Sequence, residues 1–89
     1  MTSAKDIVDF YIVPVGFVSV KKQSWYVYIG TTSHCLAVHD ELMGAEEHAT
    51  QMAEYRVAYG GYAQIHVQQA DTKLWKTVWY SPGIKPRFP

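Results

Sequence analysis

The segment DELMGAEEHATQMAEYRVAYGG, residues 40–61, decides the fold, because it is the one long stretch with helical rather than strand periodicity. The positions at helical spacing are Leu42, Ala45, Ala49, Met52, Ala53 and Arg56. The pair Gly60-Gly61 supplies a stop signal, since glycine readily adopts the backbone conformation that ends a helix. An inner face built on alanines lets the helix axis approach a sheet closely. The segment therefore predicts a single helix that packs against a sheet.

Strand-forming segments lie on both sides of this helix. Before it come residues 7–20, then WYVYIG (25–30) and HCLAVH (34–39), which are joined as a hairpin; after it come YAQIHVQQ (62–69) and LWKTVWYS (74–81). The connections are short enough for antiparallel pairing. The order β-β-β-α-β-β predicts an α+β fold: a single antiparallel sheet of about five strands with one helix packed on one face.

Pro14 and Gly16 interrupt the first strand region. Proline cannot donate to the hydrogen-bond ladder of a sheet, so within sheets it is confined to edge strands, strand starts and bulges. We therefore expect residues 7–20 to form an edge strand or to contain a bulge. An open edge near Pro14 would also let the strands of two copies of the chain pair. The sequence therefore also allows a homodimer.

Length and composition indicate one domain, residues 1–89. Eight basic and eight acidic side chains cancel, which disfavours both disorder and nonspecific binding to polyanions. Cys35 is the only cysteine, so no internal disulfide can form and a reducing compartment is expected.

No segment has the apolar character of a membrane span or a signal peptide. We expect a cytoplasmic protein with no membrane partner, in which residues 82–89 form an extended and partly mobile C-terminal tail.

Several of these features resemble a small bacterial and phage family, domain of unknown function 2188. They are the tryptophan-led strand WYVY (25–28), the strand LAVHD (36–40) running into a helix with Ala45, Ala49 and Ala53, the segment GGYAQIHV (60–67) and a turn at Asp71. Where that family usually turns with Asp-Gly, this chain has Asp71-Thr72, and its N-terminal strand region is additional. The resemblance implies a meander of strands with one helix, and it assigns no catalytic residue.

The side chains that could bind a metal or act as a nucleophile are His34, Cys35, His39, His48 and His66. Structural zinc needs four donors within about 2.0–2.3 Å of the ion. On a regular strand Cys35 and His39 would share a face but lie roughly 13 Å apart, at about 3.3 Å per residue. Neither a shared metal ion nor a nucleophile with its base fits this spacing, and only a partner from another strand, such as His66, would give Cys35 a nucleophilic role. We predict no metal site, no cofactor and no catalytic residue, and we expect Cys35 to be a small buried side chain.

Aromatic side chains flanked by lysines are the remaining candidates for a functional surface. They are Tyr26, Tyr28, Trp75 and Trp79, with Lys73 and Lys76 at the rim. Strict alternation along LWKTVWYS would place both tryptophans on one face and turn the other face toward the helix. That other face carries Leu74, Lys76, Val78 and Tyr80.

These residues predict a non-enzymatic protein-binding domain, an accessory or inhibitory protein of bacterial or phage type that acts through an aromatic sheet face or an edge strand. The alternative is a single-stranded nucleic-acid-binding domain, in which sheet aromatics stack on unpaired bases and flanking lysines contact phosphates. Those lysines are Lys21, Lys22, Lys73 and Lys76. Zero net charge and the lack of an RNP-type signature argue against this alternative, so protein binding is the first hypothesis.

Overall fold

The computed structural model describes residues 7–17, 22–30 and 34–89 of the chain. Its elements are β1 (Ile7–Phe17), β2 (Lys22–Ile29), β3 (His34–His39), α1 (Leu42–Ala58), β4 (Tyr62–Gln68) and β5 (Trp75–Tyr80). One five-stranded sheet with one helix confirms the α+β class and the β-β-β-α-β-β order. Within this described part of the chain, no helix has both the length and the apolar character needed to cross a bilayer.

The sheet has the order β3-β2-β1-β4-β5, so β1 is its central strand. Its neighbouring strands pair antiparallel, except that β1 and β4 are parallel. This mixed arrangement follows from the helix, because α1 returns the chain to the end of the sheet at which β1 begins, and β4 then runs in the same direction as β1. The predicted antiparallel pairing therefore holds for every strand pair but this one.

Pro14 lies in β1, which is the central strand of the sheet, so the expectation that residues 7–20 form an edge strand is wrong. The Gly30 N–H donates to the Asp9 carbonyl, which shows that odd-numbered residues of β1 direct their backbone groups toward β2. Pro14 therefore directs its backbone to the other side, where the pairing with β4 has already ended at Ile12 and Val67. Its missing N–H removes no ladder hydrogen bond there. The outer strands of the sheet are β3 and β5, and within the described residues β1 beyond Ile12 pairs only with β2.

The edge strand β5 contains a bulge that breaks the alternation of its side chains. The register with β4 shifts between Thr77 and Trp79, so Val78 is an extra residue. Trp75 and Trp79 consequently lie on opposite faces of the sheet, and the prediction that they share a face is wrong. The side chains predicted to lie under the helix are instead exposed: Leu74, Lys76, Val78 and Tyr80.

The other edge strand, β3, contains a second bulge. Here Leu36 is the extra residue between Cys35 and Ala37. Cys35 therefore lies on the face opposite the helix, whereas His39 lies on the helix side, and the prediction that they share a face is wrong. Cys35 is also exposed rather than buried. Bulges are frequent on edge strands, where they twist the edge and oppose its pairing with other chains.

The core lies between α1 and the sheet. Ala45, Ala49 and Ala53 are fully buried, as their helical spacing predicts. The sheet side of the core consists of Phe10, Ile12, Val27, Ala63, Ile65 and Val67. Small side chains on the helix leave the larger side chains of the sheet to fill the space between the two layers.

The helix ends at the predicted glycine pair. Gly60 adopts φ 91°, and its N–H donates to the Val57 carbonyl at 3.0 Å. The Gly61 N–H donates to the Arg56 carbonyl at 3.0 Å. These two bonds and the positive φ form a Schellman turn, which satisfies carbonyls that the last helical turn leaves free.

The substitution Ala49→Leu tests the close approach of the helix to the sheet. The larger side chain has no space between the layers, so we expect the free energy of unfolding to fall by about 1–3 kcal/mol. Ala58→Leu, at an exposed position in the last turn of the same helix, is the matched control and should change it by less than about 0.5 kcal/mol. Urea denaturation followed by circular dichroism measures both. Equal effects would contradict the packing described.

Candidate functional site

The face of the sheet that turns away from α1 carries a buried polar cluster. The strand register brings together Asp9 and Tyr11 of β1, Gln64 and His66 of β4, and Trp75 and Thr77 of β5. Gln64 and His66 are buried, although the alternation of β4 predicts a polar strand face. The chain end covers them: residues 82–89 form no strand or helix, but Arg87 and Phe88 lie against this face.

His66 has no exposed surface, and both of its ring nitrogens are hydrogen-bonded. Nε2 lies 2.8 Å from Asp9 Oδ1, and Nδ1 lies 2.8 Å from Thr77 Oγ1. Because an ionised carboxylate can only accept, Nε2 carries the proton and Nδ1 accepts from the Thr77 hydroxyl. The Phe88 N–H in turn donates to Thr77 Oγ1 at 2.9 Å. The imidazole and the hydroxyl are therefore fully paired.

Arg87 pairs with the far side of the same carboxylate. Its Nη2 donates to Asp9 Oδ2 at 2.9 Å, and its Nε lies 3.4 Å from Oδ1. The Arg87 backbone N–H donates to Gln64 Oε1 at 2.8 Å. The Asp9 side chain is only 14% exposed, so the ion pair is partly shielded from water and strengthened by charge-assisted hydrogen bonds.

Three aromatic rings surround the hydrogen bonds of His66. The Phe88 ring meets the imidazole edge-on with ring centroids 5.0 Å apart, and the Tyr11 ring lies 5.1 Å from it. Trp75 closes the group, since its ring stacks on Phe88 at 6.0 Å and meets Tyr11 edge-on at 5.4 Å. These apolar rings exclude water from the imidazole.

This enclosure shifts the titration of three groups. Burial lowers the pKa of His66 below its ordinary value, although the hydrogen bond and the charge of Asp9 oppose the shift. Burial, followed by the negative charge of Asp9, raises the pKa of the Tyr11 phenol. The hydrogen bond to Asp9 raises the pKa of Arg87. At neutral pH the cluster therefore contains a neutral imidazole, a neutral phenol and a guanidinium cation.

A hydroxyl, an imidazole and a carboxylate in series is also the arrangement that activates serine and threonine nucleophiles. Here the Thr77 oxygen already accepts the Phe88 N–H, and the imidazole is enclosed by aromatic rings. With Arg87 and Phe88 in place, the imidazole has no exposed surface. The cluster instead ties β1, β4, β5 and the C-terminal residues to one another.

The aromatic residues predicted to form one surface are divided among three environments. Trp75 lies in the cluster beneath Phe88, whereas Trp79 lies on the helix side and packs against the core. Tyr26 and Tyr28 stack on each other, with ring centroids 6.3 Å apart, on the face opposite the helix. Only these two tyrosines are brought together as the sequence predicts.

The two lysines predicted to form the rim of that surface are both exposed but lie in different settings. Lys73 adopts φ 62° in the turn before β5. Lys76 pairs with Val67 and points to the helix side of the sheet. The side chains of Lys21, Lys22 and His34 lie outside the described part of the chain.

Local patterns in the sequence do not reveal the members of the cluster that hold His66 in place. Asp9 is 57 positions from His66 and 78 from Arg87, so no local pattern joins them. One signal was present: Asp9 is a carboxylate inside an otherwise apolar strand segment, IVDFYIV. A charged side chain in such a segment indicates a buried pair, because an unpaired buried charge is costly.

A second candidate site is an apolar cleft on the helix side, with a volume of about 460 Å³. Its lining includes Phe10, Ile29 and Leu36 from the sheet and Met52, Tyr55 and Tyr59 from the helix and its C-terminal end. Tyr55 and Tyr59 are 68% and 82% exposed, and their rings stack with centroids 5.9 Å apart. The bulge of β3 turns Leu36 toward this cleft. Neither tyrosine is among the functional residues predicted from the sequence.

His39 and His48 join β3 to the helix. His39 Nε2 lies 3.0 Å from His48 Nδ1, within hydrogen-bond distance. Across residues 7–17, 22–30 and 34–89, no three or more His, Cys, Asp or Glu side chains are placed to hold a common metal ion.

Comparison with known proteins finds no family model, no curated protein and no solved structure that matches the chain. The resemblance to domain of unknown function 2188 stays a prediction.

The burial of His66 predicts a specific pH dependence of stability. Because its folded-state pKa is lowered, the unfolded chain binds a proton before the folded chain does as the pH falls. The free energy of unfolding should therefore decrease below about pH 6.5, the ordinary value for histidine, and level off below the lowered pKa of the folded state. Urea denaturation at a series of pH values between about 8 and 5 measures this slope.

Two substitutions assign the slope to His66. His66→Gln removes the titrating imidazole and should flatten the slope, while lowering stability at every pH because it disrupts the buried hydrogen bonds. His48→Gln leaves the cluster intact and should retain the slope. If the slope survives His66→Gln, another group causes it.

Proposed function

We propose that this chain is a small non-enzymatic domain that binds another protein through the apolar cleft between α1 and the sheet. The stacked pair Tyr55 and Tyr59 carries the proposal. Both rings are mostly exposed, and they stand at the mouth of a cleft that contains Phe10 and Met52. An accessory or inhibitory role of bacterial or phage type is part of the same proposal.

The tyrosine pair has the properties of a binding surface. Tyrosine is enriched at protein interfaces because its ring offers a large, rigid contact area and its hydroxyl can remain hydrated. Stable monomers rarely expose large contiguous apolar patches, and this patch surrounds a concave site rather than a flat one. A cleft of about 460 Å³ can accept one or two bulky side chains of a partner.

The rim of the cleft indicates the chemistry of that partner. Arg56 lines the cleft, and neither of the two ion pairs found among the described residues involves it. A partner carboxylate next to an apolar anchor would therefore find a cation at the rim. The edge strand β3 borders the cleft through Leu36, so a partner in the cleft would also contact this edge of the sheet.

The nucleic-acid alternative has less support from the geometry. Stacking of unpaired bases needs aromatic rings and lysines on one surface. Trp75 and Trp79 lie on opposite faces, and Trp75 is covered by Phe88. We retain this alternative as an outcome that the binding experiment can detect.

The double substitution Tyr55→Ala/Tyr59→Ala tests the proposal. Affinity purification from the native source, with nuclease treatment and quantitative mass spectrometry, should show at least about tenfold less of the specific partner than with the unaltered chain. The matched control is Glu47→Ala/Gln51→Ala, at two exposed positions of the same helix away from the cleft, and it should capture the partner normally.

Thermal unfolding of the three proteins tests whether a loss of binding results from a loss of the fold. Because both tyrosines are exposed, the midpoints should agree within a few degrees. Equal capture by all three proteins would contradict the cleft as the binding surface. Capture that disappears on nuclease treatment would favour the nucleic-acid alternative.

A further inference from the structure

Two consecutive residues, Arg87 and Phe88, hold the C-terminal segment against the sheet. These two residues are here called the clip. The Arg87 guanidinium binds Asp9 of β1, and its backbone N–H binds Gln64 of β4. The Phe88 N–H binds Thr77 of β5, and its ring lies on Trp75 and His66. Each of the three strands thus supplies one polar partner, and no strand pairing is involved.

The clip is joined to the rest of the fold by a loosely held segment. Ser81 is fixed, because its N–H donates to the Ala63 carbonyl and its Oγ accepts the Ala63 N–H. Among the described residues, no hydrogen bond joins residues 82–86 to the sheet, and all of them but Ile84 are exposed. The clip can therefore detach without breaking any strand of the sheet.

Detachment of the clip would remove specific hydrogen bonds and one ring contact from this face of the sheet. The Asp9 carboxylate, which is 14% exposed with the clip in place, would lose its guanidinium partner and would retain its hydrogen bond to His66. The acceptor oxygens of Gln64 and Thr77 would each lose a backbone donor. The Trp75 ring would lose its stacking partner. An occupant that restores all of these contacts would supply a guanidinium group, two backbone N–H groups and an aromatic ring.

We propose that this face is a recognition site for a partner protein that presents an exposed arginine followed by an aromatic residue, and that the clip occupies the site in its absence. A guanidinium fork matches the carboxylate geometry, which the point charge of lysine does not. The two backbone bonds set the direction of the bound segment, as in other short-peptide sites. The site lies on the opposite side of the sheet from the apolar cleft, so it does not depend on the function proposed above.

A labelled heptapeptide, Gly-Ile-Lys-Pro-Arg-Phe-Pro, tests this site because it has the sequence of residues 83–89. The protein is the full chain carrying Arg87→Ala/Phe88→Ala, which removes the clip side chains but keeps the chain length. Fluorescence anisotropy should show that this variant binds the peptide at least about tenfold more tightly than the unaltered chain, whose tethered clip competes at high effective concentration. A peptide with alanine in place of arginine should bind the variant at least about tenfold more weakly.

The indole N–H signals of the protein locate the bound peptide in nuclear magnetic resonance spectra. The Trp75 indole signal should shift on titration, whereas that of Trp79, on the helix side, should not and serves as the internal control. When Tyr55→Ala/Tyr59→Ala is added to the Arg87→Ala/Phe88→Ala chain, its affinity for the peptide should stay unchanged, which separates this site from the cleft.

Several results would overturn the proposal. They are a folded variant that does not bind the peptide at about millimolar concentration, equal binding of the arginine-free peptide, and equal binding by the unaltered chain. If the double variant unfolds, Arg87→Ala alone retains the Phe88 ring and takes its place. Unfolding of both variants would show that the clip cannot exchange, and would also overturn the proposal. A clip-dependent dimer of the unaltered chain would identify a second copy as the occupant and overturn the assignment to another protein.

Discussion

The hydrogen bonds of buried His66 are the constraint on which the face opposite the helix depends. An imidazole without exposed surface needs a partner for each nitrogen, since a buried polar atom left unpaired costs about 1–3 kcal/mol. Asp9 and Thr77 meet this need from the two strands that flank β4. The carboxylate then needs a cation, and Arg87 brings the end of the chain onto the sheet. One buried side chain thus links three strands and the C-terminal residues.

The two faces of the sheet are stabilised by different physical means. On one face, α1 packs by apolar contact, and its alanines bring the two layers close together. Toward the end of the helix, larger side chains such as Met52 and Tyr55 replace this close contact, and the cleft opens there. On the other face, polar and aromatic contacts hold the clip in place of a second layer. Among the described residues, the helix side of the sheet therefore has an open apolar cleft, and the opposite face is covered by Arg87 and Phe88.

The elements of this fold follow from local patterns in the sequence. The helix was predictable because alanines at intervals of four residues form one face, and because Gly60 can adopt the positive φ that ends it. The five strands were predictable from runs of β-branched and aromatic residues between turn-forming segments. The candidate sites were much less predictable. Tyr26 and Tyr28 do stack as neighbours, but the bulge at Val78 separates Trp75 from Trp79, and alternation alone cannot reveal a bulge.

The sequence by itself determined the number, order and type of the elements, together with the face that α1 buries, because periodicity and turn chemistry act over a few neighbouring residues. Only the tertiary structure decided that β1 is central, that Pro14 is tolerated there, and that Asp9, His66 and Arg87 meet. These outcomes depend on contacts between positions as many as 78 residues apart, where the burial of charge and the pairing of strands are resolved by the whole fold.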